Sequence, residues 1–187
     1  MATLPDVFKI NSATPVDNYA YQSTETRSLK LAYRRLGGQR FDFRIRSVEL
    51  EQTDIKTIMA FISKVNREND SISLTMPIFS ESNASTTTTA EEITKGDAQV
   101  ELASVTGVQV GDFFNFAGHS KAYIVDSIVG NDITFSPNLL ADTVTSGATV
   151  TFNNCVFKML LRNRVQSFEI DADRNSASLE LDLIEDI

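Results

Sequence analysis

LKLAYRRLGGQRFDFRIR, residues 29–46, carries the pattern that decides how this chain folds. Leu29, Leu31 and Tyr33 alternate with Lys30, Ala32 and Arg34. Beyond LGGQ, Phe41, Phe43 and Ile45 alternate with Asp42, Arg44 and Arg46. A period of two places each apolar set on one face of a sheet and the charges on the other. Gly37-Gly38 between the runs can adopt the positive φ of a tight turn, so the stretch predicts a β-hairpin.

Working outward, one segment has helical rather than strand periodicity. Ile55, Ile58, Met59, Ile62 and Val65 recur at three- and four-residue spacing behind Thr53 or Asp54 as N-cap. This predicts a helix packing that stripe against a sheet, with Lys56, Lys64 and Arg67 largely off it. A strand over residues 71–76 follows. Residues 80–97, SESNASTTTTAEEITKGD, are polar and Thr-rich and read as an exposed linker. Short strands then appear in QVELAS, DFFNFA, KAYIVDSI, DITFSP and ATVTF, punctuated by glycines, which predicts a small barrel. Val156 through Ile170 is again strand-like. DADRNS (171–176) should turn into SLELDLIE, where Leu179, Leu181 and Leu183 alternate with polar residues. The first 27 residues are polar and have no assignable pattern, and no repeat of solenoid length occurs.

Charge divides the chain in the same places. Residues 1–79 carry 11 basic and 9 acidic side chains, residues 80–153 carry 2 and 9, and residues 154–187 carry 4 and 7. The expected organisation is therefore a discontinuous β domain, residues 1–79 with 154–187, interrupted by an acidic barrel over 80–153. The net charge of −8 lacks the basic footprint of a nucleic-acid-binding protein. A lone Cys155 excludes an intramolecular disulfide framework. MATLPDVFKI has no signal-peptide pattern, and no apolar run reaches the roughly 20 residues of a membrane span. A soluble protein made in a cytoplasm is expected.

Residues for catalysis are scarce. His119, the only histidine, lies in Gly118-His119-Ser120-Lys121 and reads as a turn residue. Cys155 reads as a buried thiol rather than a nucleophile. Asp171, Asp173 and Asn175 alternate as in a calcium loop, but Ser176 and Asp182 stand where that loop needs Gly and Glu. No catalytic, cofactor or metal site is expected, and no enzyme. Arg40, Arg44 and Arg46 share one strand face beside Arg34 and Arg35. Phosphate contact is one reading of them, and a solvated or subunit-facing surface is the other.

The layout, together with VTGVQVGDFFNFAGHSKAYIVDSIVGNDITFSPNL (105–139), resembles the distal tail proteins of long-tailed phages, the Dit-like siphophage family. Within that stretch, Val110-Gly111-Asp112-Phe113 and Gly118-His119-Ser120-Lys121-Ala122-Tyr123 are similar to barrel inserts of such tail modules. Nearest is the T5-type, whose sandwich- or barrel-like tail-tube domain with one helix carries an oligonucleotide/oligosaccharide-fold barrel. The resemblance implies self-association into a ring, usually a hexamer, in the virion tail. The ring would join the tail tube protein to the hub or baseplate protein, and DNA would pass without specific binding. Residues 28–50, with Arg40, Arg44 and Arg46, are then the expected inter-subunit contacts, and Ile55–Val65 the core helix. Competing readings are a tail tube or tail-terminator subunit, and a carbohydrate-binding module stacking sugars on Tyr123 and Phe135. A glycosidase working through carboxylates alone is the remaining enzymatic alternative.

Overall fold

The computed structural model describes residues 2–25, 31–140, 143–163, 168–171 and 176–186. Four strands precede the only helix among them: β1 (Ala2–Thr3), β2 (Ile10–Glu25), β3 (Leu31–Ser47) and β4 (Leu50–Glu51), then α1 (Gln52–Glu68). Next come β5 (Ile72–Leu74), β6 (Thr87–Thr88), β7 (Gln99–Glu101) and β8 (Phe113–Phe116). They are followed by β9 (Tyr123–Val129), β10 (Asp132–Ser136) and β11 (Thr149–Thr151). β12 (Phe157–Leu161), β13 (Phe168–Asp171) and β14 (Ser176–Glu185) close the order. The protein is mainly β, as the alternation predicts. Two compact units form, one from Asp6–Ala60 with Leu161–Ile184 and one from Met1–Pro5, Phe61–Leu160 and Glu185–Ile187. The strands β6 to β11 all fall between residues 80 and 153.

In the first unit β3 is flanked by antiparallel β2 and β14. Phe43 stands opposite Leu183 and Ile45 opposite Leu181. These four side chains, with Phe41 and Leu179, are buried, while Arg40, Arg44, Arg46 and Glu180 are exposed. The alternation thus works as the sequence predicts, but the hairpin does not. β3 runs straight through Gly37-Gly38, and its partner in the hairpin is β2. At the glycines the register shifts, Tyr19 facing Gln39 and Tyr21 facing Arg35, and Gly38 has φ +82°. Positive φ serves a bulge here instead of a turn. β2 escapes a pattern reading because it is an edge strand: Pro15 opposite Phe43 is tolerated there, and Val16 is exposed. Leu29, Lys30 and the predicted turn residues 172–175 lie outside the described residues.

Helix α1 buries Ile58, Ile62 and Val65, spaced four and three apart, and leaves Ile55 half-buried. Met59 is 51% exposed, so the buried stripe is narrower than predicted. It lies about 100° around the helix from Ile58, at the margin of the line that Ile58, Ile62 and Val65 define. The helix also starts at Gln52, which puts Thr53 and Asp54 inside the first turn, where the Asp54 charge favours the N-terminal end.

In the second unit β5 pairs in parallel with β1 and antiparallel with β12. A separate antiparallel sheet runs β6-β11-β8-β9-β10-β7. Among the described residues no continuous ladder closes it into a barrel. Its two edges meet at the isolated Thr89–Leu102 bridge, where Ala90 N donates to Glu101 O (2.8 Å) and Ala103 N to Thr88 O (2.9 Å). Phe114 lies at the middle of the core, with ring centroids 5.2 Å from Phe116, 5.3 Å from Phe152 and 5.7 Å from Tyr123 and Phe135. Residues 80–97 are not the exposed linker predicted: Ser80, Ala84, Thr89 and Ile93 are buried. Thr89 can be buried because its hydroxyl donates to Thr145 O (2.9 Å) and accepts from Ala148 N (3.1 Å). Gly107 lies so close to the Asn83 carbonyl that an added Cβ would come within 2.6 Å.

This unit also buries an ion pair between Lys121 Nζ and Glu185, whose side chains are 3% and 0% exposed. The second Glu185 oxygen accepts from Ala122 N at 3.1 Å. Removing one partner strands a buried charge, whereas removing both does not. Lys121→Met or Glu185→Leu alone should lower unfolding free energy by about 3–5 kcal/mol in urea titrations, and the double variant should recover most of that loss.

Candidate functional site

Arg40, Asp42, Arg44 and Arg46 share the face of β3 opposite its buried residues. Across the ladders Arg40 faces Asn18, Arg44 faces Thr14 and Asp182, and Arg46 faces Ser12 and Glu180. Asp42, nearly buried, organises one end of this face. Its Oδ2 accepts from Asn18 Nδ2 (2.6 Å) and from Arg162 Nη2, and its Oδ1 pairs with Arg40 Nε at 3.2 Å. Arg44 Nε donates to Asp182 Oδ1 (2.9 Å) and pairs with Glu180 (3.3 Å), while Arg46 donates to Ser178 Oγ (3.0 Å). The Asp182 hydrogen bond and charge, with Glu180 adding to them, raise the Arg44 pKa further above its ordinary value. An open groove of about 310 Å³ lies over Thr14, Val16, Asn18, Arg40, Asp42 and Arg162, among others.

The three arginines named from the sequence therefore do share a face, but they do not form a bare basic patch. Asp42, Glu180 and Asp182 offset them within the chain. That composition does not suit a phosphate site, which needs uncommitted donors. Exposed pairs of this kind contribute only about 0–1 kcal/mol each. Arg162 belongs to this face and was missed, because only the fold brings it to Asp42; its backbone is fixed by Arg162 N donating to Asp182 O at 2.9 Å.

The other unit presents an acidic concavity of about 540 Å³ lined by Glu91, Glu92, Asp97, Glu101 and Asp132, with no basic residue in its lining. Thr94 holds Asp97 below the usual carboxylate range, through its amide (2.7 Å) and its hydroxyl (2.9 Å). Such a surface repels phosphate backbones.

The residues weighed for catalysis or ligand binding are placed as follows. His119 is half-buried; its amide donates to Phe116 O (3.0 Å) and its ring packs edge-on against Phe116. Tyr123 and Phe135 are in the core, so neither offers a stacking platform for a sugar. Asp173 and Asn175 lie outside the described residues, as does the Asp171 side chain; Asp182 of the same spacing is engaged with Arg44. Among the described residues no group of three or more His, Cys, Asp and Glu converges as a metal-binding set.

One residue without any sequence signal stands out. Ile78 has φ +72°, and Phe79 N donates across it to Pro77 O at 2.9 Å, a positive-φ γ-turn. A β-branched residue in the left-handed region is strained by about 1–2 kcal/mol, and Ile78 is 80% exposed. Ser80 holds the turn: its amide donates to Met76 O (2.8 Å), and its hydroxyl accepts from Met76 N (2.8 Å) and donates to Cys155 O (2.6 Å).

No protein-family model matches this chain, and no curated protein matches it.

Burial first, then the Glu185 charge, push the Cys155 thiol far above its ordinary value, so the thiolate that reacts is scarce in the folded protein. Iodoacetamide at mildly alkaline pH should leave native Cys155 unlabelled and modify it readily in denaturant. Rapid labelling of the native protein would restore the nucleophile reading.

Proposed function

We propose that this chain is a structural subunit of a long-tailed phage tail, forming the distal ring that joins the tail tube to the hub or baseplate. The observation that carries this reading is the order of elements. In chain order, long strands and the helix α1 come before β5, the six short strands of an acidic segment fall between β5 and β12, and the long strand β14 comes last. That is the layout of the distal tail proteins the sequence resembles. Among the described residues no helix is long and apolar enough to cross a membrane.

On this reading the work of the protein is assembly. Heterologous contacts between copies close into a ring when the rotation fits, and a central opening lets DNA through without a binding site for it. The edge strand β2 offers unpaired backbone groups to a neighbour, and the Arg40–Arg44–Arg46 face offers guanidiniums suited to planar recognition of carboxylates. The tail tube and hub proteins would meet the two faces of the ring. The acidic concavity would keep the six-stranded sheet from adhering to DNA.

Negative-stain imaging of the purified protein should show six-fold rings with a central hole, whereas long stacked tubes would point to a tube subunit instead. The Arg44→Ala, Arg46→Ala double variant should form markedly fewer rings while melting within a few degrees of the parent, because the exposed contacts it removes contribute only about 0–1 kcal/mol each. Charge reversal to Glu at the same positions should abolish rings. Undiminished rings in both variants would remove this face from the interface.

A further inference from the structure

The groove over Asp42 is built from one face of two paired strands. Thr14, Val16 and Asn18 of β2 stand opposite Arg44, Asp42 and Arg40 of β3. Alternate residues of neighbouring strands share a face, so the sheet itself holds these side chains together. Arg162 joins them through Asp42.

Charge at the Asp42 end is unbalanced. Two guanidiniums, Arg40 and Arg162, converge on one carboxylate that is nine-tenths buried. Its Oδ2 accepts from Arg162 and Asn18, whereas Oδ1 has no aligned hydrogen bond, so Arg40 Nε is held at 3.2 Å by charge alone. The terminal nitrogens of Arg40 are then a planar fork for a second carboxylate. Over the whole lining three guanidiniums meet two carboxylates, Asp182 being the other, which leaves one positive charge in excess. That excess fits a monoanion and falls short of a phosphate dianion. The unit holding the groove carries 12 basic and 12 acidic side chains, so the −8 of the chain is borne by the other unit.

The rest of the lining suits hydroxyl groups. Thr14 offers a hydroxyl, Asn18 an amide oxygen once its Nδ2 is given to Asp42, and Asp182 the oxygen that Arg44 does not take. Val16, 47% exposed, adds an apolar patch on which the C–H face of a ring can lie. A groove of about 310 Å³ has room for one six-membered ring with its substituents.

We propose that this groove binds a single sugar-acid unit, with its carboxylate on Arg40 and Arg162, its hydroxyls on Thr14, Asn18 and Asp182, and its ring over Val16. The inference goes beyond the ring reading and does not need it, since every residue named lies in one copy.

The test is saturation-transfer NMR and calorimetric titration of the full chain with glucuronate and galacturonate. Glucose, which lacks the carboxylate, cyclohexanecarboxylate, which lacks the hydroxyls, and acetyl-Ser-Glu amide serve as comparisons. A uronate should bind saturably in the millimolar range and weaken with salt. Glucose and cyclohexanecarboxylate should bind about ten- to hundredfold more weakly, as each forfeits one set of hydrogen bonds. Val16→Glu puts an anion at an exposed position of the edge strand and should lower uronate affinity about tenfold or more with the melting temperature unchanged. Arg162→Gln should lower it similarly, and thermal melts check that both variants are folded. Arg44 and Arg46 stay in place in both, so uronate binding is read independently of ring formation. Silence of both uronates overturns the site. Glucose bound as well as a uronate overturns the arginines as anchor, and cyclohexanecarboxylate bound as well overturns the hydroxyl contacts. Uronate binding unchanged in both folded variants overturns this groove as its place. Tighter binding of acetyl-Ser-Glu amide than of either uronate gives the groove to an acidic protein partner and overturns the sugar.

Discussion

The register of β3 against β14 is the constraint on which the first unit depends. With Phe43 opposite Leu183 and Ile45 opposite Leu181, every second residue from Phe41 to Ile45 and from Leu179 to Leu183 enters the core. A slip of one position would turn Arg40, Arg44 and Arg46 inward and the aromatic residues outward. The apolar area at stake makes that alternative prohibitive, so the interface proposed for the arginine face is a consequence of how the core is filled. Asp42 is the exception on that face, nearly buried, and it is tolerated because Asn18, Arg40 and Arg162 all converge on it.

The second unit is organised by a different economy. Its sheet has strands of only two to seven residues, too short to hold together by ladders alone. Phe114, Phe116, Tyr123, Phe135 and Phe152 supply the cohesion, in edge-on, tilted and stacked contacts that suit aromatic quadrupoles. Using the aromatics this way leaves the surface to carboxylates, and the acidic concavity is the outcome.

Polar groups finish what the apolar core begins. Ser80 joins Met76 to Cys155, and Lys121 with Glu185 fixes the loop before β9 against the end of β14. Both arrangements satisfy buried donors and acceptors, and both restrict the geometry more than they add to stability. Ile78 sits beside the first of them, and the rigidity of that junction is what lets a strained turn persist.

The sequence by itself determined the class of the fold. Alternation over Phe41–Arg46 and Leu179–Leu183, and three- to four-residue spacing over Ile58–Val65, are local properties that a chain cannot satisfy in another way. Residues 80–153 were legible as a distinct run of short strands for the same reason, and the three arginines were legible as sharing one face. What only the tertiary structure decided are the features that depend on a partner distant in sequence. β2 has no alternation because an edge strand is half solvated, so its existence follows from β3. Gly37-Gly38 fits a turn or a bulge equally well, and the length of β2 opposite selects the bulge. The Thr-rich stretch looks like a linker until Thr145 and Ala148 satisfy Thr89. Arg162 meets Asp42, and Ile78 is held at positive φ, only because the packed chain closes around them, and no local pattern encodes a contact made across more than 70 residues.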